Sequence, residues 1–104
     1  MCKNCIVVIH PFFKSRRDDL LFCRETRSDI LKIEDEPVCI RFISAETNLS
    51  SKGSFAGKKV SAIIFEGLNP FEIKTIIESI IAAHKVGKIF SSLKEFKEAK
   101  KIAS

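Results

Sequence analysis

KVSAIIFEGLNPFEIKTIIESIIAAHKVGKIF, residues Lys59 to Phe90, decides the fold: an apolar strand runs through a capped amphipathic helix into a second, short strand. Val60-Ser61-Ala62-Ile63-Ile64-Phe65 is apolar almost throughout, the pattern of a strand covered on both faces. Asn69 stands at an N-cap position, Pro70 at the first helical position and Glu72 in the first turn. From Pro70 to Val86, residues Ile73, Ile76, Ile77, Ile80, Ile81, Ala83 and His84 share one stripe at helical spacing. Gly87 is expected to close that helix, with Lys88-Ile89-Phe90 beginning a strand at once. Joints this short place the helix on the sheet.

Working outward, Ile6-Val7-Val8-Ile9 is a β-branched run that predicts a first strand ended by Pro11. Ser15-Arg16-Arg17-Asp18 has the form of a capping box and predicts a helix over Arg16 to Lys32, with Leu20, Cys23, Ile30 and Leu31 on one face. The competing reading of that stretch is a hairpin, Leu20–Glu25 against Ile30–Glu34. Val38 to Ser44 alternates as a strand, with Val38, Ile40 and Phe42 on one side and Cys39, Arg41 and Ile43 on the other. The polar segment 46–57 is the long loop. A second capping box, Ser92-Leu93-Lys94-Glu95, opens a short helix with Leu93, Phe96, Ala99 and Ala103 inward.

The predicted order is strand, helix, strand, strand, helix, strand, helix. It matches an α+β ferredoxin-like βαββαβ two-layer sandwich with an added C-terminal helix. The hairpin reading gives instead a mixed α/β sheet with an N-terminal β-hairpin. A ferredoxin-like sheet leaves one face open, and Cys39, Arg41 and Ile43 would lie there.

A chain of 104 residues with 45% apolar content is expected to form one domain, residues 1–104, with a core that needs no disulfide or metal. No run approaches the ~18 apolar residues of a membrane span. The apolar stretch Cys5–Phe13 carries His10 and Pro11 and reads as a strand, not as a signal peptide. With four cysteines taken as reduced thiols, a cytoplasmic location is the expectation. The net charge of +5 is uneven: residues 1–36 carry seven basic and seven acidic side chains, so the later part supplies the whole excess. Lys85, Lys88, Lys94, Lys97, Lys100 and Lys101 crowd the end of the chain against Glu95 and Glu98. An asymmetric basic end favours an acidic partner, although a solvated lysine face that maintains solubility explains it equally well.

Motifs for chemistry are sparse. Cys2-Lys3-Asn4-Cys5 is a CxxC, but it precedes a strand and lacks the helix N-terminus that activates such a thiol. Cys2 and Cys5 are weak metal candidates, since a zinc site needs four ligands and Cys23, Cys39, His10 and His84 are scattered in sequence. Gly53-Ser54-Phe55-Ala56-Gly57-Lys58-Lys59 fails as a phosphate loop on spacing, chemistry and context. His84, in an isoleucine stripe, reads as a packed residue before a base or ligand. Glu66 and Glu72 flank Asn69-Pro70 and read as solvated loop carboxylates.

Lys94, Lys97 and Lys101 fall on one side of the last helix, with Lys58 and Lys59 at a strand entrance, and together they could follow a phosphate backbone. The alternating aromatics of an RNA-binding sheet are missing; Phe42 and Phe65 are all the strands offer. The leading expectation is therefore a non-enzymatic binding module that meets nucleic acid or an acidic protein through Lys94, Lys97, Lys101, Lys58 and Lys59. One alternative is an interaction domain that self-associates through a sheet edge or the Val38–Ser44 strand. The other is a small thiol-redox or metal-binding protein using Cys5 or His84. No cofactor and no membrane partner is implied.

Overall fold

The computed structural model describes residues 4–34, 38–45, 59–83 and 86–103; within these, the side chains of 4, 59, 80–83, 86 and 101–103 are not described. Among the described residues seven elements follow in order: β1 (Asn4–His10), α1 (Arg16–Ile33), β2 (Cys39–Ser44), β3 (Lys59–Phe65), α2 (Pro70–Ala83), β4 (Val86–Phe90) and α3 (Leu93–Ala103). The four strands form one sheet in the order β2-β1-β3-β4. Every neighbouring pair is parallel.

This topology overturns the ferredoxin-like, α+β expectation: the fold is α/β, a Rossmann/flavodoxin-like arrangement. Antiparallel sheets with an open face need alternating strands, whereas Cys5 to Ile9 and Ala62 to Phe65 are buried without interruption. Such runs belong to central strands covered on both sides, which β1 and β3 are. Nor do β2 and β3 pair; β1 lies between them, and segment 45–58 has the length a parallel crossover requires. The hairpin alternative is also overturned, because Arg16–Ile33 is one continuous helix.

The helices occupy both faces, as the handedness of crossovers dictates. From β1 the chain steps outward to β2, while from β3 it steps the opposite way to β4. Two right-handed crossovers running in opposite directions place their helices on opposite faces. Ile73, Ile76 and Ile77 of α2 accordingly pack on Val7, Ile9, Ile43, Ile63 and Phe65. On the other face Phe22 and Ile30 of α1 and Phe96 of α3 pack on Ile6, Val8, Ala62 and Ile64. The open face expected beneath Cys39, Arg41 and Ile43 does not exist, since Ile43 is buried and Cys39 packs in the α2-side core.

Local signals explain the element starts. Asp18 N–H donates to the Ser15 Oγ at 3.4 Å and Glu95 N–H to the Ser92 Oγ at 3.1 Å, so both serines act as N-caps, and the Glu95 carboxylate accepts the Ser91 N–H at 3.1 Å. Glu72 N–H donates to the Asn69 Oδ1 at 2.8 Å, and the Asn69 amide donates back to the Glu72 carboxylate at 2.6 Å. Two details depart from the sequence reading. The buried stripe of α1 runs through Phe22, Thr26, Ile30 and Ile33, which leaves Leu20 and Leu31 exposed. Gly87 lies inside β4 and does not cap α2: a Cβ there would collide with the Ser61 carbonyl oxygen. Ser61 is the extra residue of a bulge, because Cys5 pairs with Val60 and Ile6 with Ala62.

No helix among the described residues is long and apolar enough to cross a membrane.

Candidate functional site

In open parallel sheets, ligands bind beyond the carboxyl ends of the strands, near the point where strand order reverses. Here that point lies between β1 and β3. It is closed by local packing: Gly67, at φ +76°, sits against the Pro11 ring so closely that an added Cβ would lie 3.2 Å from Pro11 Cδ. Glu66, at the end of β3, accepts the Leu93 N–H at 3.1 Å and so caps α3. The carboxyl edge instead opens to one side, between β1, β2 and α1. A cavity of about 270 Å³ lies there, lined by His10, Phe12, Phe13, Asp19, Cys23, Phe42 and Ser44.

Each wall has a sequence cause. His10 is the last residue of β1 and alternates with Ile6 and Val8 toward the α1 face. Its backbone is fixed by the edge of the sheet, where the Ala45 N–H donates to the His10 carbonyl at 2.8 Å. Asp19 and Cys23 are four residues apart, and so share the face of α1 that looks at the end of β1. One ring nitrogen of His10, the Cys23 sulfur and an Asp19 carboxylate oxygen all lie within 4.8 Å of one another.

His10 is 5% exposed and enclosed by aromatic rings. Its ring centroid lies 5.4 Å from Phe13 in a stacked arrangement, 5.1 Å from Phe22 and 6.4 Å from Phe42. The Arg27 guanidinium covers Phe42 at 5.6 Å. The His10 Nδ1 lies 2.8 Å from the Pro11 carbonyl oxygen. A carbonyl only accepts, so the contact is a hydrogen bond when Nδ1 carries the ring proton, and that tautomer leaves the lone pair on Nε2. Burial pushes the Cys23 thiol above its usual range, the nearby Asp19 carboxylate adds to the rise, and Arg27 opposes it. Cys23 is thus a protonated thiol at neutral pH, not a ready nucleophile.

The residues singled out in the sequence do not form this site together. Cys5 is buried on the α2 side of β1, with its Sγ 3.9 Å from the Ile6 carbonyl oxygen, and so faces away from His10. Cys2, Lys58, His84 and the 53–58 loop lie outside the described residues, and Lys59 is placed only as the first residue of β3. On α3, Lys94 is exposed while the Lys97 Nζ pairs with Asp29 at 3.2 Å. Lys100 pairs with Glu34 at 3.2 Å, and Lys101 is placed on α3 without a described side chain. Phe65 is fully buried and Phe42 belongs to the His10 cluster, so neither is offered to a stacked base.

His10 and Cys23, scattered in sequence, are brought together, and Asp19 is the member the sequence reading missed. The available signal was the i, i+4 spacing of Asp19 and Cys23 in the helix that follows the strand ending at His10. A scan against protein-family models finds no match, and neither curated proteins nor solved structures match the chain.

Proposed function

We propose that this chain is a ligand-binding α/β domain whose site is the cavity at the carboxyl edge of β1 and β2. The observation that supports it is the buried His10 imidazole, set among phenylalanines and lining an opening shared with Asp19 and Cys23. Apolar walls with a few convergent polar groups are the ordinary composition of a small-molecule site. The fitting ligand is small, with a flat apolar body for the Phe13 and Phe42 rings and a polar head for the His10–Asp19–Cys23 cluster. A cytoplasmic location belongs to the same proposal, because a reducing compartment keeps the Cys23 thiol available.

Titration of isotope-labelled protein with indole-like and imidazole-like fragments tests this reading by amide shifts. Shifts should concentrate at His10, Phe13, Cys23 and Ser44, and weaken in Phe13→Ala. Shifts spread over the surface, or none at millimolar fragment, would sink it.

A second reading keeps the lysine-rich face as a contact for nucleic acid or an acidic protein. Exposed Lys94 supports it, while the Lys97–Asp29 and Lys100–Glu34 pairs compete with any phosphate. The self-association alternative is left with the edge strands β2 and β4 and the exposed Leu20, Leu21 and Leu31 of α1.

A further inference from the structure

Three donors of different chemistry converge at the cavity: an imidazole nitrogen, a thiol and a carboxylate oxygen, all within 4.8 Å. Nitrogen, sulfur and oxygen together are a donor set for Zn²⁺, and a poor one for Mg²⁺ or Ca²⁺, which select oxygen. Tetrahedral Zn²⁺ at 2.0–2.3 Å from its ligands spaces the donors about 3.5 Å apart. Closing the observed spacing asks about an ångström of side-chain movement. Asp19 and Cys23 are half-buried and sit on one helical turn, so rotation about their side-chain bonds supplies it.

The tautomer of His10 gives independent support. Metal-bound histidines usually donate their other ring N–H to a carbonyl or carboxylate, which fixes the ring and raises its basicity. The contact of His10 Nδ1 with the Pro11 carbonyl is of that kind. Among the described residues no hydrogen bond is made to Nε2, although His10 is 5% exposed. A buried polar atom without a partner is costly, and a metal would satisfy it. The surrounding Phe13, Phe22 and Phe42 rings form a dry shell of the sort that tunes such a centre.

We propose that His10, Asp19 and Cys23 form a three-ligand Zn²⁺ site, with the fourth position facing the cavity. The proton is accounted for: the Cys23 thiol gives it up to solvent as the Zn–S bond forms. The proposal rests on the cavity being the ligand site and names the head-group chemistry there. A ligand atom such as a carboxylate oxygen, a thiol or water would complete the tetrahedron.

Co²⁺ substitution decides the matter. Metal-free full-length protein titrated with Co²⁺ should bind one equivalent and develop a near-ultraviolet thiolate-to-cobalt band, and Zn²⁺ should erase it. Cys23→Ser should abolish the band, and Asp19→Asn should weaken binding while leaving the fold intact by circular dichroism. Cys39→Ser, altered on the opposite face of the sheet, should keep the band. No band in the wild type overturns the proposal, as does a band that survives Cys23→Ser, which would move the metal to Cys2 and Cys5. Fragment shifts at Phe13 and Ser44, recorded without metal, separate the two ideas. If they persist while the cobalt band is missing, the metal fails and the cavity reading stands.

Discussion

At the scale of single residues, the backbone around the carboxyl edge tolerates little change. Gly67 holds a left-handed conformation and touches Pro11, so Gly67→Ala meets both a torsional penalty and a contact that must yield. The expected loss is about 1–2 kcal/mol by urea unfolding, from the cost of a non-glycine residue in the left-handed region. Cys23 makes a second prediction, with a definite sign. Its folded pKa is raised above the ordinary thiol value, so the thiolate fraction stays low through neutral pH and grows only in alkali. Alkylation by iodoacetamide should therefore keep rising with pH after an unstructured cysteine peptide has levelled off. Because the protonated form is favoured in the folded state, the same shift removes stability as pH climbs above the unfolded thiol pKa. A Cys23 rate that plateaus with the peptide would contradict both statements.

At the scale of elements, much of the architecture was legible and its pairing was not. The three helix starts were readable because Ser15, Asn69 and Ser92 act within four residues of themselves, and local hydrogen bonds need no knowledge of the rest of the chain. Strand direction is a long-range property. The apolar run Ala62–Phe65 already spoke for cover on both faces, and it conflicted with a sheet that has an open side. That conflict was the available clue to a parallel sheet. The buried face of α1 was misplaced for a related reason: Thr26, polar by type, is 4% exposed, while Leu20 is 57% exposed. His10 and Cys23 read as scattered and Asp19 was overlooked, because their meeting depends on which face of α1 turns toward the end of β1, and that face was misplaced.

Two predictions belong to elements. Asn69→Ala removes the reciprocal cap of α2 and should cost about 1 kcal/mol. Phe96→Ala empties the α3 side of the core, where Phe96 meets Phe90 edge-on at 5.3 Å, and should cost about 3–5 kcal/mol. Both are read from denaturant midpoints at unchanged slope, and a Phe96→Ala variant as stable as wild type would refute the packing of α3 on the sheet.

At the scale of the whole molecule, stability should be graded from the middle of the sheet outward. β1 and β3 are central and buried on both faces, whereas β2 and β4 are edges. Native-state hydrogen exchange should give the slowest amides in Val7, Val8, Ile63 and Ile64, exchanging only on global unfolding, with β2 and β4 opening at lower free energy. Equal protection across all four strands would contradict this grading. The lysine-face reading is also tested at this scale. Lys94→Glu should weaken binding to a nucleic-acid duplex and flatten its salt dependence. Wild-type protein that binds nothing at low salt ends that reading.

The cavity walls also bear on how this molecule can change. Every described residue lining the cavity falls between positions 10 and 44, on β1, α1, β2 and the joint between the first two. The later strands and helices adjoin that chemistry from behind, through β1, the Pro11–Gly67 contact and the packing of α3 beside α1. Cavity-facing side chains of α1, β2 and the joint before α1 can be exchanged to suit a new ligand while the central strands β1 and β3 keep the sheet standing. A library confined to positions 12, 13, 19, 23, 42 and 44 would sample new specificities while leaving the central strands β1 and β3 unaltered.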